Sequence, residues 1–512
     1  MKRRTLKIAR IIAALLFFFP ILFFFCDFAD VFPDTFSRLL RMQVIPAILS
    51  GGIMALAAVF LLTLLFGRIY CSVICPMGVL QDVINRFAGR GRKNKKKDRF
   101  HYAKPYTILR YSLLAVCVGF FIFEVITPLL FLDPYSNFGR IGANLFRPLV
   151  MEGNNLLNWV ALKFNDYSFY HVSTYTVTRL SLTISLIALL TIGILSFLRG
   201  RLFCNMICPV GSLLGLLSRF AIFRVVLDQS ACTSCGSCEK ACKSECIDSK
   251  GKTVDTSRCV SCFNCLDLCK QKGIKYKFAH FHSSSVVPTK SVTSRRNFIA
   301  TSTAIVTSLP LVPVWAQTEA VDTTKLTPIT PPGSKGLKHF KKKCTACHLC
   351  VTHCPQQILK PAGFNFGINY AFKPHLVFYE MAFCNYECTV CSEICPNGAI
   401  KKLTKEEKKV TQIGIAQFKR GRCIVISDNT SCGACSEHCP VQAVKMEPYK
   451  DGLTLPHVYE ELCIGCGGCE SICPVRPVKA INVMANELHR QAQRLQEEEI
   501  KEVNMSELDF GF

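Results

Sequence analysis

Cys232, Cys235, Cys238 and Cys242 form a Cys-x2-Cys-x2-Cys-x3-Cys run, and Cys259, Cys262, Cys265 and Cys269 repeat it. Thiolates at this spacing are soft ligands for iron–sulfur clusters. The Cys-x2-Cys-x2-Cys loop wraps three corners of one [4Fe–4S] cube, and the fourth cysteine, opening the next helix, reaches the neighbouring cube. The reading therefore puts Cys232, Cys235, Cys238 and Cys269 on one cluster and Cys259, Cys262, Cys265 and Cys242 on the other. Lys243 and Lys270 stand where a proline usually follows the fourth cysteine. Zinc accepts Cys-x2-Cys pairs, but three cysteines at this spacing plus a fourth, twice over, fit it poorly.

The C-terminal half carries four more groups: Cys344, Cys347, Cys350, Cys354; Cys384, Cys388, Cys391, Cys395; Cys423, Cys432, Cys435, Cys439; and Cys463, Cys466, Cys469, Cys473. Each ends in Cys-Pro. Six quartets predict six [4Fe–4S] clusters. Of the 31 cysteines, Cys26, Cys117 and Cys246 then remain outside any group, and Cys246 reads as a free thiol. Cys344-Thr345-Ala346-Cys347-His348 also matches the c-type haem signature. Haem there would strip two corners from a cluster, so the cluster reading is preferred.

The last four cysteines lie in an internal repeat. Gly67-Arg68-Ile69-Tyr70-Cys71-Ser72-Val73-Ile74-Cys75-Pro76-Met77-Gly78 recurs at an offset of 133 as Gly200-Arg201-Leu202-Phe203-Cys204-Asn205-Met206-Ile207-Cys208-Pro209-Val210-Gly211. A pseudo-twofold axis would bring Cys71, Cys75, Cys204 and Cys208 together as a redox or metal site. Buried, inert cysteines in two tight turns are the competing reading.

These motifs need elements to hold them. The composition is 50% hydrophobic and 19% charged, with net charge +25. Apolar stretches run about Ile11–Phe28, Val44–Phe66, Thr107–Leu132, Leu180–Leu198 and Asn297–Ala316. They predict an α-helical membrane domain of four spans plus a fifth export or anchor span, joined to α+β bacterial-ferredoxin-like domains. Segment 67–106 has ten basic and two acidic residues, whereas 133–177 has three of each, which puts the basic loops in the cytoplasm. The basic residues cluster beside spans, so membrane lipid is the expected partner and nucleic acid is not. None of these stretches contains a histidine, which excludes a transmembrane bis-histidine haem. Glu124 is the one acid inside the third stretch and a candidate for quinol proton release, against an interfacial position at a helix end.

Ser294-Arg295-Arg296-Asn297-Phe298-Ile299 resembles a twin-arginine export signal, with Ala300 where a lysine is often found. Folded export suits a domain already loaded with clusters. The domain reading is 1–228 membrane domain, 229–282 cytoplasmic two-cluster domain, 283–317 signal or anchor span, 318–340 exposed linker, 341–485 periplasmic four-cluster domain and 486–512 polar helical tail. The location that follows is the bacterial inner membrane.

Residues 1–282 resemble the NapH-type membrane subunit of periplasmic quinol dehydrogenases, on the spans, the two Cys-x3-Cys-Pro motifs and the two-cluster end. Residues 290–485 resemble the NapG type, a twin-arginine-exported protein with four clusters. Both motifs lack the tryptophan expected between their cysteines. The resemblance implies a quinol dehydrogenase-type component that passes electrons from quinol to a periplasmic reductase or c-type cytochrome. It also implies ligand exchange between outer and inner quartets, Cys473 completing Cys344, Cys347 and Cys350, Cys354 completing Cys463, Cys466 and Cys469, Cys439 completing Cys384, Cys388 and Cys391, and Cys395 completing Cys423, Cys432 and Cys435. Glu124, Asp133 and Arg140 are the candidate quinol residues. No acid, base or nucleophile constellation accompanies the clusters. The alternatives are a membrane redox factor for copper-centre assembly or reductase maturation, and an adaptor that anchors a reductase.

Overall fold

The computed structural model describes residues 3–29, 31–33, 36–90, 100–172, 178–269, 271–278, 327–379 and 381–494. The twin-arginine segment, the fifth apolar stretch and the chain beyond 494 lie outside the described residues.

The first half is helical: α1 Arg3–Cys26, α2 Ser37–Arg41, α3 Val44–Ser50, α4 Ile53–Phe66, α5 Tyr70–Val73, α6 Pro76–Arg90, α7 Thr107–Ile122, α8 Thr127–Leu132, α9 Pro134–Ile141, α10 Arg147–Lys163, α11 Arg179–Arg199 and α12 Pro209–Leu217. Among the described residues two helices, Arg4–Cys26 and Arg179–Arg199, are long and apolar enough to cross a bilayer; α4 and α7 are shorter apolar helices. At 1.5 Å per residue the 14 residues of α4 rise about 21 Å and the 16 of α7 about 24 Å, below a hydrocarbon thickness of about 30 Å. The continuous spans expected over 44–66 and 107–132 are broken. Gly51 ends α3 with φ +76, a left-handed cap that lets its N–H bond back to Ala47 and Ile48. Glu124, with φ 62, occupies the break between α7 and α8.

The expected loop 133–177 is helical from Pro134 to Lys163, with a π-helical turn at Gly142–Phe146 joining α9 to α10. Asp133 caps α9, accepting from the N–H groups of Tyr135 (3.3 Å) and Ser136 (2.8 Å), and Pro134 supplies the first turn. Every residue of α9 is buried, and it packs against α6 and α11.

Next comes the unit expected to hold two clusters, called the two-cluster unit below. Strand β1 Phe223–Leu227 pairs antiparallel with β4 Ile274–Phe278, enclosing the hairpin of β2 Ile247–Asp248 and β3 Thr253–Val254. The second unit holds three further antiparallel pairs: β5 Leu359–Pro361 with β6 Pro374–Leu376, β8 Val444–Pro448 with β9 Thr454–Val458, and β7 Thr411–Phe418 with β10 Ile481–Gln491. Two expectations change. The linker expected over 318–340 is folded where described, with Ile329, Thr330, Ser334 and Phe340 buried, because the Lys401 N–H bonds to the Gly333 carbonyl and ties the Pro-Gly turn into the unit. The tail expected from 486 begins as strand, because β10 pairs with β7 through Gln491.

The four apolar helices share one relationship. On α1, Lys7 pairs with Asp267 of the two-cluster unit at 3.0 Å, while Phe24 stacks on His353 of the four-cluster unit, ring centroids 4.6 Å apart. At the end of α4 the Phe66 carbonyl accepts from Ser261 (3.0 Å), and Ser50, which ends the preceding helix α3, lies against Gly398. Arg110 on α7 donates to the Ser257 carbonyl (3.0 Å), and Glu124 beyond its other end pairs with Lys342. On α11, Arg199 pairs with Glu245 (3.1 Å), and Leu180 packs on Phe372 and its neighbours. The two cluster units therefore sit at opposite ends of the bundle.

Candidate iron–sulfur centres

Each three-cysteine loop ends in a short helix, Ser237–Lys240 after Cys235 and Asn264–Leu268 after Cys262, so the fourth cysteine projects from the helix end toward the other loop. An open pocket is lined by Cys232, Cys235, Cys238 and Cys269. Cys265 faces Cys242, Cys259 and Cys262. Both sets match the crossed assignment read from spacing. Cys246 is not an isolated thiol. It is buried, its Sγ lies 3.5 Å from that of Cys242, and it bonds to Cys259. Its position four residues after a fourth cysteine is held by Ala399 and Ala443 in later quartets, which is the sequence signal that marks it.

In the four-cluster unit the same crossing occurs between chain neighbours. Cys344, Cys347 and Cys350 all face Cys395. Cys354 faces Cys384, Cys388 and Cys391. Cys473 joins Cys423, Cys432 and Cys435 around a second open pocket. Cys439 faces Cys463, Cys466 and Cys469. This corrects the outer-to-inner exchange that the resemblance implied. The unit folds as two successive pairs of quartets, each with its own crossing. The pairs meet where the Cys384 N–H donates to the Cys466 carbonyl (2.9 Å).

Several observations fit these quartets to cubanes. Burial pushes the Cys344 and Cys347 thiols up to about 12, so their ionised forms need the charge of bound iron. The buried Tyr135 hydroxyl finds no oxygen or nitrogen partner and faces Cys347. Among the described residues no three His, Cys, Asp or Glu side chains form a group that could hold a single metal ion. A zinc ion with Zn–S bonds of about 2.3 Å would draw its thiolates to about 3.8 Å, and a cubane sets them wider. His348, of the haem-like pentad, has both ring nitrogens engaged, with the Phe372 carbonyl (2.9 Å) and the Asn144 amide (3.3 Å). Burial and the nearby Arg140 push its pKa down to about 3, and Cys344 and Cys347 belong to the Cys395 set.

The repeat cysteines Cys71, Cys75, Cys204 and Cys208 are buried, and all six pairs among them lie within electrostatic reach. Glycine is required at the end of each motif. A Cβ on Gly78 would fall 2.1 Å from the Cys71 carbonyl oxygen, and one on Gly211 2.1 Å from that of Cys204. The arginines cross between copies: Arg68 donates to the Cys204 carbonyl (3.0 Å) and Arg201 to the Cys71 carbonyl (2.5 Å). Arg201 also holds Asp82 (2.8 Å), which pairs with Lys243 (2.5 Å) and Arg10 as well.

The candidate quinol residues are dispersed. Glu124 is exposed and paired with Lys342. Asp133 is the cap of α9, and buried Arg140 donates to the Leu130 carbonyl and to Asn137 (2.9 Å).

A profile described as a 4Fe-4S binding domain matches residues 48–96 and again 181–226, and one described as a 4Fe-4S dicluster domain matches 429–477. YccM of Escherichia coli (strain K12) is 28% identical over 208 residues, 39% of this chain and 48% of that protein. The methylamine utilization ferredoxin-type protein MauN of Paracoccus denitrificans is 23% identical over 177 residues, 34% of this chain and 48% of that protein. The ferredoxin-type protein NapF of Escherichia coli (strain K12) is 28% identical over 138 residues, 27% of this chain and 74% of that protein. The alignments cover about half of YccM and of MauN. No solved structure matches. The chain carries 4Fe-4S binding domains in both halves and is similar, over parts of its length, to ferredoxin-type proteins.

Proposed function

We propose that this chain conducts electrons across a lipid membrane, from the quinol pool to a reductase or c-type cytochrome on the periplasmic side. The observation that carries it is the bundle contacted by one cluster unit at one end and by the other unit at the opposite end, through α1 and α11 themselves and through α4 and α7 with the residues that flank them. Bound [4Fe–4S] cubanes supply one-electron carriers, which splits a two-electron donor into single steps.

The residues order the path. Cys238 faces Cys265 within the two-cluster unit, and Cys262 lies beside Lys243 and Arg10 at the bundle. At the other end Tyr135 on α9 meets Cys347, Cys350 faces Cys391, Cys466 faces Cys384, and Cys469 faces Cys435. The Cys423 set is the outermost station and lines an open cavity, the place for an external electron acceptor. The basic run 86–104 supports a cytoplasmic side for the 229–282 unit, and the quinol donor and periplasmic acceptor of this reading follow the NapH and NapG resemblance.

Protein in liposomes, treated anaerobically with a menaquinol analogue, is expected to lose the visible absorbance of its oxidised clusters. Protease added to spheroplasts is expected to digest 341–485. No bleaching by quinol, or full protection of that unit, would overturn the reading.

A further inference from the structure

Around the repeat cysteines the buried charges do not balance. Arg68 is wholly buried, and its guanidinium meets the Cys204 carbonyl (3.0 Å), the Asn205 side-chain oxygen (2.8 Å), the Ser257 carbonyl (3.1 Å) and the Cys71 thiol (3.8 Å). Its Nε has no partner, and no carboxylate is among these contacts. The repeat explains why. Asp82, which serves Arg201, has Gly215 as its counterpart 133 residues on, and a Cβ there would fall 1.7 Å from Nη2 of a further buried arginine, Arg110. Arg10, Arg201 and Lys243 thus share the carboxylate of Asp82, Arg110 and Arg258 share that of Asp255, and Arg68 contacts none, which leaves six buried cations against two carboxylates among these described residues. Buried charge without compensation is strongly unfavourable, so this surplus calls for an anion.

The thiols are disposed to be that anion's ligands. Cys208 caps the nine-residue α12, where the Gly211 N–H donates to its Sγ at 3.3 Å, and Cys75 stands at the corresponding place before the 15-residue α6. Helix N-termini favour thiolates. Each of the two 4Fe-4S profile matches contains only two cysteines, Cys71 and Cys75 or Cys204 and Cys208, so neither repeat has a full ligand set alone. The pseudo-twofold arrangement unites them.

We propose that Cys71, Cys75, Cys204 and Cys208 together hold one iron–sulfur cluster, two ligands from each repeat, between the two ferredoxin units. On one flank, Cys262 lies beside Lys243 and Arg10, which share Asp82 with Arg201, the arginine bonded to the Cys71 carbonyl. On the other, Tyr70 lies within electrostatic reach of Cys75 and of Asp133, and Asp133 caps the helix that carries Tyr135 to Cys347. The step this serves moves one electron from the reduced two-cluster unit to the oxidised four-cluster unit, with no bond made or broken and no proton moved. That role rests on the conduit reading above; the ligand assignment does not.

The test uses the full chain, purified anaerobically, with iron analysis and Mössbauer and EPR spectra. Wild type is expected to contain iron beyond the roughly two dozen atoms of six cubanes, together with a cluster component that disappears in Cys75→Ser/Cys208→Ser. Retention of the other iron and monodisperse elution show that the variant is folded. Wild type with no iron beyond six cubanes, copper in place of the extra iron, or a folded variant with unchanged iron and spectra would each overturn the assignment, and the wild-type measurements decide even if the variant does not fold. A second assay separates the two claims. Liposomes with dithionite inside and ferricyanide outside are expected to show electron crossing in wild type and its loss in the variant. An extra cluster without crossing in wild type would refute the conduit and leave the ligand assignment standing.

Discussion

Arg68 donates to the carbonyl oxygen of Cys204 at 3.0 Å. Its repeat counterpart Arg201 returns the bond to Cys71 at 2.5 Å, so each copy of the motif is pinned by the other's arginine. The two Cys-x3-Cys-Pro turns are one structure, built from segments 133 residues apart.

The ion pairs at this junction are expected to be unequal in weight. Asp82→Asn strips the carboxylate from Arg10, Arg201 and Lys243 together. Removing one partner of a buried pair costs about 3–5 kcal/mol. Asp267→Asn breaks only the partly exposed pair with Lys7, worth about 0–1 kcal/mol. Thermal unfolding in detergent should show a large loss for the first and almost none for the second; equal shifts would contradict the charge cluster.

Ligand partition can be read from iron counts. Cys344→Ser/Cys395→Ser removes two corners of one set and should lose about four irons. Cys344→Ser/Cys473→Ser touches two sets and should lose about eight. The reverse pattern would restore the outer-to-inner exchange.

Tyr135→Phe removes a hydroxyl aimed at Cys347 and little else. Hydrogen bonds to cluster sulfur stabilise the reduced, more anionic state. At about 1 kcal/mol net for one such bond, the potential of one centre should fall by about 40 mV. An EPR-monitored redox titration with all midpoints unmoved would show that the hydroxyl does not reach the cluster.

His489 sets a pH dependence for the four-cluster unit. Burial holds its pKa down to about 4, and its Nε2 meets the Thr330 hydroxyl at 2.8 Å. The unfolded chain takes up this proton below about 6.5 and the folded chain only near 4. Stability is therefore full above about 6.5 and falls as pH drops toward 4, by about 3 kcal/mol in all. Guanidinium midpoints followed by cluster absorbance should slope downward over that window in wild type and lie flatter in His489→Gln; parallel slopes would assign the dependence elsewhere.

The cysteine spacing alone sorted 24 thiols into six quartets and suggested the crossing of Cys242 and Cys269, because most corners of a cubane loop stand three residues apart in the chain. The 133-residue repeat was equally legible, since it is a pattern within the string. The breaks in two apolar stretches were not, because Gly51 and Glu124 bend the helices through backbone angles that hydropathy does not register. Nor was the helix over 134–163, whose α9 residues are mixed in polarity and buried only because α6 and α11 close over them. Which fourth cysteine completes the Cys344 set, where the Cys246 thiol lies, and how Arg68 comes to rest beside Cys71 without a carboxylate were decided by tertiary structure. Each depends on segments distant in the chain meeting at short range, and only packing sets those distances.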